Sequence, residues 1–252
     1  MISIKTAAEL HKMRRAGAVL ASVFEEILPM ICAGVSASVI DAKADALILA
    51  YACTPSFKSV KGYSHATCIS RNEEVVHGIP YATKIFQDGD IVSVDVGVCF
   101  EGYHADAART VAVGGVSNAA LDLIRVTEAS FFEACQFAIA GNKIGDVVSA
   151  LQMCVEKSGF SVVRDLCSHG IGRSLHEEPL IPNYGKAGTG FKLLPGMTFA
   201  LEPMVNIGRH DVLTLEDKWT IISADKTLSA HYENTIVISP DGHPEILTLS
   251  ES

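Results

Sequence analysis

Residues 91–98 read Ile91-Val92-Ser93-Val94-Asp95-Val96-Gly97-Val98, a run of branched side chains interrupted by one carboxylate. Val and Ile pack well on a pleated surface and Asp is depleted there, so the run predicts a strand that carries an acid inside it. Gln87-Asp88-Gly89-Asp90 turns the chain into this strand. Glu101-Gly102 turns it out into a second one, Tyr103 to Val113, where Asp106 stands among Ala105, Ala107 and Ala108. A similar pair comes later. Pro195-Gly196 leads into Met197-Thr198-Phe199-Ala200-Leu201-Glu202, and a strand from His231 to Ser239 carries Glu233 ahead of Thr235-Ile236-Val237. Trp219-Thr220-Ile221-Ile222 reads as a further strand.

The segments ahead of each pair also match. Thr6-Ala-Ala-Glu9 is a capping box, and Leu10, Met13, Ala16, Leu20, Phe24 and Ile27 follow at helical spacing as far as Pro29. After the Ala33-Gly34 turn a second helix is expected from Ser36 or Ser38 to Cys53. In the second half, Ser117 or Asn118 caps a helix reaching Ala138, Ala140-Gly141 turns, and Gly145 to Lys157 forms another. Gly34 and Gly141, Gly89 and Gly196, and Asp95 and Glu202 are each 107 residues apart. His104-Ala-Asp106 and His231-Tyr-Glu233 match at 127, so the second connection is about 20 residues longer. These spacings predict an α+β chain forming one domain over 1–252. Its helix-helix-strand halves, roughly 1–113 and 114–252, should pack about a pseudo-two-fold axis with the acid-bearing strands meeting in the middle.

Asp95, Asp106, Glu202 and Glu233 thus lie in or beside apolar strands, and an unpaired buried carboxylate costs several kcal/mol. Basic residues nearby are few, Arg109 being one, so divalent cations are the simplest compensation. Four negative charges match two such ions, and an ion pair bridged by carboxylates can activate a water and polarise a carbonyl together. One neutral imidazole would turn the site toward transition metals and away from Ca²⁺ or Mg²⁺. His77 and His169 each open a His-Gly-Ile triplet, whose glycine permits close approach, and His176 follows His169. His104 and His231 each precede an acid by two residues and share its strand face, as supporting or structural partners.

Composition narrows the class. Hydrophobic residues make up 48% of the 252 and charged residues 19%, which excludes disorder and allows a sizeable core. A net charge of −9 leaves no basic surplus for direct nucleic-acid binding. The seven cysteines contain no C-x-x-C, which argues against a disulfide framework or a cysteine-built zinc site and for a reducing cytosol. The N-terminal residues lack a signal-peptide apolar stretch, and nowhere is there an apolar run of about 18 residues, so a cytoplasmic chain that does not span a membrane is expected.

Together these residues resemble the methionine aminopeptidases of the short bacterial type, within the pita-bread metallopeptidase family that also holds prolidase-like and creatinase-like enzymes. The likeness runs from Ile2-Ser3-Ile4-Lys5-Thr6 to Glu245-Ile246-Leu247-Thr248-Leu249. It is densest at Cys68-Ile69-Ser70, His77-Gly78-Ile79-Pro80, Asp88-Gly89-Asp90-Ile91-Val92, His169-Gly170-Ile171-Gly172, His176-Glu177-Glu178-Pro179 and Glu202-Pro203-Met204-Val205-Asn206. The resemblance implies a curved antiparallel sheet flanked by helices and a centre of two divalent ions (Co, Mn, Fe or Zn). It implies that Asp95, Asp106, His169, Glu202 and Glu233 hold them. It further implies attack of metal-activated water on the first peptide bond of a chain with an N-terminal methionine and a small second residue. Glu202 would be general base, His176 would stabilise the oxyanion and His77 would meet the scissile amide nitrogen. Tyr63, Cys68, Leu175 and Trp219 would hold the methionine side chain.

The sequence departs from the family pattern at Ser168, where glycine is usual, at Leu166 and Leu175, where aromatics are usual, at Asn234, where histidine is common, and across Val60-Lys61-Gly62-Tyr63-Ser64. No expected ligand is lost, so the departures bear on pocket shape and specificity. The implied partners are N-terminal methionine peptides and nascent chains, with transient ribosome contact and a monomeric state. Between Arg209 and Lys226 basic residues are offset by Asp211, Glu216, Asp217 and Asp225, which does not favour tight ribosome docking. Two other readings are a Xaa-Pro aminopeptidase, which usually carries an additional N-terminal domain, and a non-catalytic binding module that kept the fold.

Overall fold

The computed structural model describes residues 2–249, so Met1 and residues 250–252 of the expected domain lie outside the described residues. Helix α1, Ala7–Ile27, starts at Thr6, whose hydroxyl accepts from the Glu9 N–H while the Glu9 carboxylate accepts from the Thr6 N–H at 2.7 Å. Helices α2 (Ala37–Ala50), α3 (Asn118–Cys135, capped by Ser117) and α4 (Ile144–Lys157) follow. Two helices stop three residues short of the expected ends. After α2, Ala52 takes a φ of 56°, and the Cys53 N–H returns to the Ile48 carbonyl. After α3, the N–H groups of Gln136, Phe137 and Ala138 tighten onto carbonyls three residues back.

A nine-stranded sheet forms the centre. Four neighbouring antiparallel strands are, in spatial order, Ile91–Phe100, Tyr103–Ala112, Glu233–Val237 and Thr198–Leu201, with Cys167–Gly170 beyond the last. The two returning strands therefore lie side by side, Glu233 opposite Ala108, with the strands leading to Asp95 and Glu202 outside them. The 107-residue spacing extends to the backbone. Gly34 N–H donates to Phe86 O and Gly141 N–H to Leu193 O, both at 2.9 Å. The return bonds, Phe86 N–H to Val35 O and Leu193 N–H to Asn142 O, are 2.9 and 2.8 Å.

Two expected strands begin or break elsewhere. The segment His231 to Ser239 divides at Tyr232: Ser229–His231 joins a small sheet with Met204–Asn206, and Glu233–Val237 joins the main one. The strand expected at Trp219 starts at Ile221, because the Asp217 carboxylate accepts from the Trp219 and Thr220 N–H groups at 2.9 and 2.8 Å and holds them in a turn.

Strand alternation sorts the sheet into two faces. Val92, Val94, Val96, Val98, Ala105 and Ala107 pack with α1 and α2 in one core cluster. Phe199, Leu201 and Ile236 pack with α3 and α4 in the other. The residues between them, Asp95, Gly97, Asp106, Ala108, Ala200 and Thr235, face away from the helices. Gly97 is needed there for close approach: a Cβ would stand 2.7 Å from Ser56 Cβ and 2.9 Å from a Phe57 ring carbon. Gly97→Ala should therefore cost about 1–3 kcal/mol through overpacking. Chemical denaturation should show a lower midpoint at unchanged slope; a midpoint equal to the parent's would mean that the Ser56–Phe57 segment yields freely.

Candidate metal centre and its pocket

The helix-free face brings the four acids together. Asp95 stands beside Ala108 in register and Asp106 beside Gly97, so small neighbours leave room for both carboxylates. Asp106 is fixed by the adjoining half: its N–H donates to Thr235 Oγ at 2.8 Å and its carbonyl accepts from the same hydroxyl at 2.9 Å. Glu202 follows the end of its strand, where Ser168 Oγ accepts from its N–H at 2.9 Å and Asn183 Nδ2 donates to its carbonyl at 2.8 Å. His169 donates through Nδ1 to the Gly170 carbonyl at 2.8 Å, which leaves the Nε2 lone pair free. That Nε2 lies 3.3 Å from Glu202 Oε1.

The donors form two groups of three. Asp95, His231 and Glu233 offer atoms within 4.8 Å of one another, as do Asp106, His169 and Glu233. Glu202 belongs to neither group but borders both. Asp106 Oδ1, Asp95 Oδ1, Glu233 Oε1 and His231 Nε2 are buried without a hydrogen-bond partner. Buried polar atoms are normally satisfied, so this concentration of orphans in one place fits an ion-binding centre. Arg109 makes no ion pair with the acids, although its charge lowers the Glu233 carboxyl against the larger effect of burial. Its guanidinium donates to the Glu233 carbonyl and Asn234 Oδ1, both at 2.6 Å, and stacks on Tyr232.

The electrostatics follow from burial. Loss of water pushes the Asp95 carboxyl up to about 7. Burial and then the charge of Glu233 raise Asp106 well above the carboxylate range. Burial followed by Asp95 raises Glu202, and burial followed by Glu202 raises Glu233. His169 falls to about 4, by burial and then by His176, and is a neutral donor near neutrality.

A cavity of about 310 Å³ opens onto this cluster. Eleven of the residues singled out from the sequence line it, namely the five candidate ligands, His77, His176, Tyr63, Cys68, Leu175 and Trp219, while His104 and His231 are not among its lining residues. Tyr63 donates its hydroxyl to the Thr67 carbonyl at 2.7 Å and packs on Trp219 with ring centroids 5.0 Å apart, making an apolar wall. His77 has a φ of 58°, a conformation that costs a non-glycine residue about 1–3 kcal/mol and recurs at functional sites. Gly78 secures it: its N–H donates to Ser70 Oγ at 3.1 Å, and its carbonyl accepts from the Ile69 N–H at 2.7 Å. Burial, and then His176, lowers His77 to about 4, so its ring is neutral. His176 sets its ring edge-on against His169, centroids 4.6 Å apart. The turn before His176 is held by Glu177, which takes Lys5 at 2.6 Å and the Arg173 N–H at 2.7 Å.

Sequence reasoning did not single out Phe57, Val76, Asp165, Leu180 or Met204 as lining residues. Met204 lies in a quoted motif, but nothing in the local pattern marks Phe57 or Leu180. His231 was expected only as a supporting partner, although its place two residues before Glu233 did indicate the shared face.

The model of metallopeptidase family M24 matches residues 11–240. A methionine aminopeptidase of Clostridium perfringens is 47% identical over 249 residues, covering 99% of each chain. Among solved structures, methionine aminopeptidase from Thermotoga maritima has a TM-score of 0.97 at 44% identity, covering 99% of this chain and 100% of that one. Prolidase from Pyrococcus furiosus has a TM-score of 0.78 at 21% identity; the match covers 66% of that longer chain and is a likeness of fold. The chain thus has the pita-bread fold.

Cation binding should be coupled to proton release. With its carboxyl near 7, Asp95 is mostly protonated at pH 6, and a cation must displace that proton. His169, near 4, is already neutral there and imposes no such competition. Affinity for Mn²⁺ or Co²⁺ should therefore rise between about pH 5 and 8. Calorimetric titration at pH 6, in buffers of differing ionisation enthalpy, should show protons released, and fewer in Asp95→Asn. Binding with no proton release at pH 6 would contradict a protonated empty cluster.

Proposed function

Since the chain belongs to metallopeptidase family M24, we propose that it removes N-terminal methionine from peptides and nascent proteins whose second residue is small. It does so as one catalytic domain over 1–252, whose halves, roughly 1–113 and 114–252, each supply two carboxylates. The observation that carries this reading is an apolar pocket opening directly onto four clustered acids. The cavity, about 310 Å³, is at the small end for ligand sites, which suits one side chain and the start of the next residue.

Asp95, Asp106, His169, Glu202 and Glu233 would hold two divalent ions, drawn from Co, Mn, Fe and Zn. When bound, these offset the carboxylate charge, acidify water and polarise a carbonyl. The methionine side chain lies against Tyr63, Cys68, Leu175 and Trp219, which orients the first peptide bond over the acids. Glu202, with its main chain pinned by Ser168 and Asn183, takes the proton of the attacking water and passes it to the leaving amine. His176 donates to the carbonyl oxygen as it becomes negative. His77, held in one orientation by its strained backbone, meets the scissile amide nitrogen.

No described helix is long and apolar enough to cross a membrane. On this reading the protein is a cytoplasmic monomer that meets nascent chains with transient ribosome contact; between Arg209 and Lys226 the basic residues are offset by acids, as in the exposed Arg209–Asp211 pair at 3.2 Å.

Metal-reconstituted protein should release methionine from Met-Ala-X peptides, far more slowly from Met-Lys-X, and should leave Ala-Pro-X intact. Cleavage of Ala-Pro-X would favour Xaa-Pro specificity, and no cleavage of any would favour a binding module. His77→Ala and His176→Ala should each lower kcat about 100-fold or more with metal content retained. Near-parental kcat in both would remove these side chains from the mechanism.

A further inference from the structure

We infer that His231 supplies a nitrogen donor to the ion held by Asp95 and Glu233, so that each half of the centre carries one imidazole. This deepens the two-ion reading above and rests on it, but it is independent of the substrate. The two groups of donors are alike in kind: a carboxylate, an imidazole and the shared Glu233. In one the imidazole is His169, and in the other it is His231.

Three observations point the same way. His231 is 2% exposed, and its Nε2 has no hydrogen-bond partner. That Nε2 is 3.7 Å from both Glu202 Oε2 and Glu233 Oε2. The spacing is too long for a hydrogen bond, but it suits atoms each about 2.0–2.2 Å from one ion. Finally, the main chain of His231 is locked in place. Its N–H donates to Thr110 Oγ at 3.0 Å, and its carbonyl accepts from the same hydroxyl at 2.8 Å.

The matching histidine of the first half makes the contrast. His104 also precedes an acid by two residues, but it belongs to neither group of donors, and its Nδ1 meets Ser56 Oγ at 2.8 Å. A second nitrogen donor would shift preference toward Co²⁺ and Zn²⁺ and away from Mn²⁺.

The test is X-ray absorption of the full chain loaded with two equivalents of Co²⁺, counting imidazoles by their multiple scattering. The unmodified protein should average one imidazole per cobalt, and His231→Gln half of one. In calorimetric Co²⁺ titration, one of the two sites in His231→Gln should weaken by about 100-fold, with the folded state checked by circular dichroism. Two bound cobalt ions averaging half an imidazole each in the unmodified protein would overturn the inference while leaving the two-ion reading intact. Uptake of a single ion would overturn that reading first, and this inference with it. The count on the unmodified protein does not depend on whether the variant folds.

Discussion

Four carboxylates crowded onto one face of a sheet repel one another and lose most of their water, and the rest of the molecule is arranged around that conflict. Among the described residues, the ion-pair contacts of these acids are with His169 and His231 alone, rings that burial keeps neutral. Burial raises the Asp95 carboxyl to about 7, so protons as well as cations can relieve the repulsion. The scaffold must therefore hold the acids together against their own electrostatics. It does so with neutral groups: the Thr235 hydroxyl across the junction to Asp106, the Ser168 hydroxyl and Asn183 amide around Glu202, and alanine or glycine opposite Asp106 and Asp95. Arg109 contributes by donating to the Glu233 carbonyl and the Asn234 side chain, and its charge lowers the Glu233 carboxyl against the effect of burial.

The matching halves explain how such a cluster assembles, and their mismatch explains the pocket. Backbone contacts between the Gly34 and Phe86 segments recur between the Gly141 and Leu193 segments, so each half presents its acid-bearing strands in the same way. The longer connection of the second half contains Val212–Thr214 and Ile221–Ser223, which pair with each other and then with Glu74–Val76 of the first half. That excursion carries Trp219 to Tyr63 and closes the apolar wall beside His77. The acid cluster thus follows the internal symmetry, while the apolar wall of the pocket depends on the segment that breaks it.

This division also governs what was legible in the sequence. An acid inside Ile91–Val98 conflicts with strand propensity, and such a conflict marks a site because ordinary packing would not keep it. The capping box at Thr6 and the paired glycines are local signals, so α1 and the repeating turns could be read directly. Helix ends at Ala50 and Cys135, the Asp217 turn before Ile221, and the break at Tyr232 were not. The first three are set by short-range turn bonds that apolar periodicity does not register, and the last by the Tyr232 N–H, which donates to the Pro203 carbonyl. Phe57 and Leu180 reach the cavity through tertiary packing alone.

Ser168 shows how a departure from a family pattern can be absorbed by its surroundings. Ser168 stands where the resemblance expects glycine, on the strand that carries His169. In the structure Ser168 is wholly buried and its hydroxyl is fully used, donating to Asn183 Oδ1 at 2.6 Å and accepting from the Glu202 N–H. Asn183 in turn donates to the Glu202 carbonyl, closing a ring of three hydrogen bonds around a residue that lies just past its strand. A glycine at 168 could not supply that hydroxyl, so here the main chain of Glu202 depends on the departure itself. The cost of burying a hydroxyl is offset by satisfying a strand end that the sheet ladder does not reach.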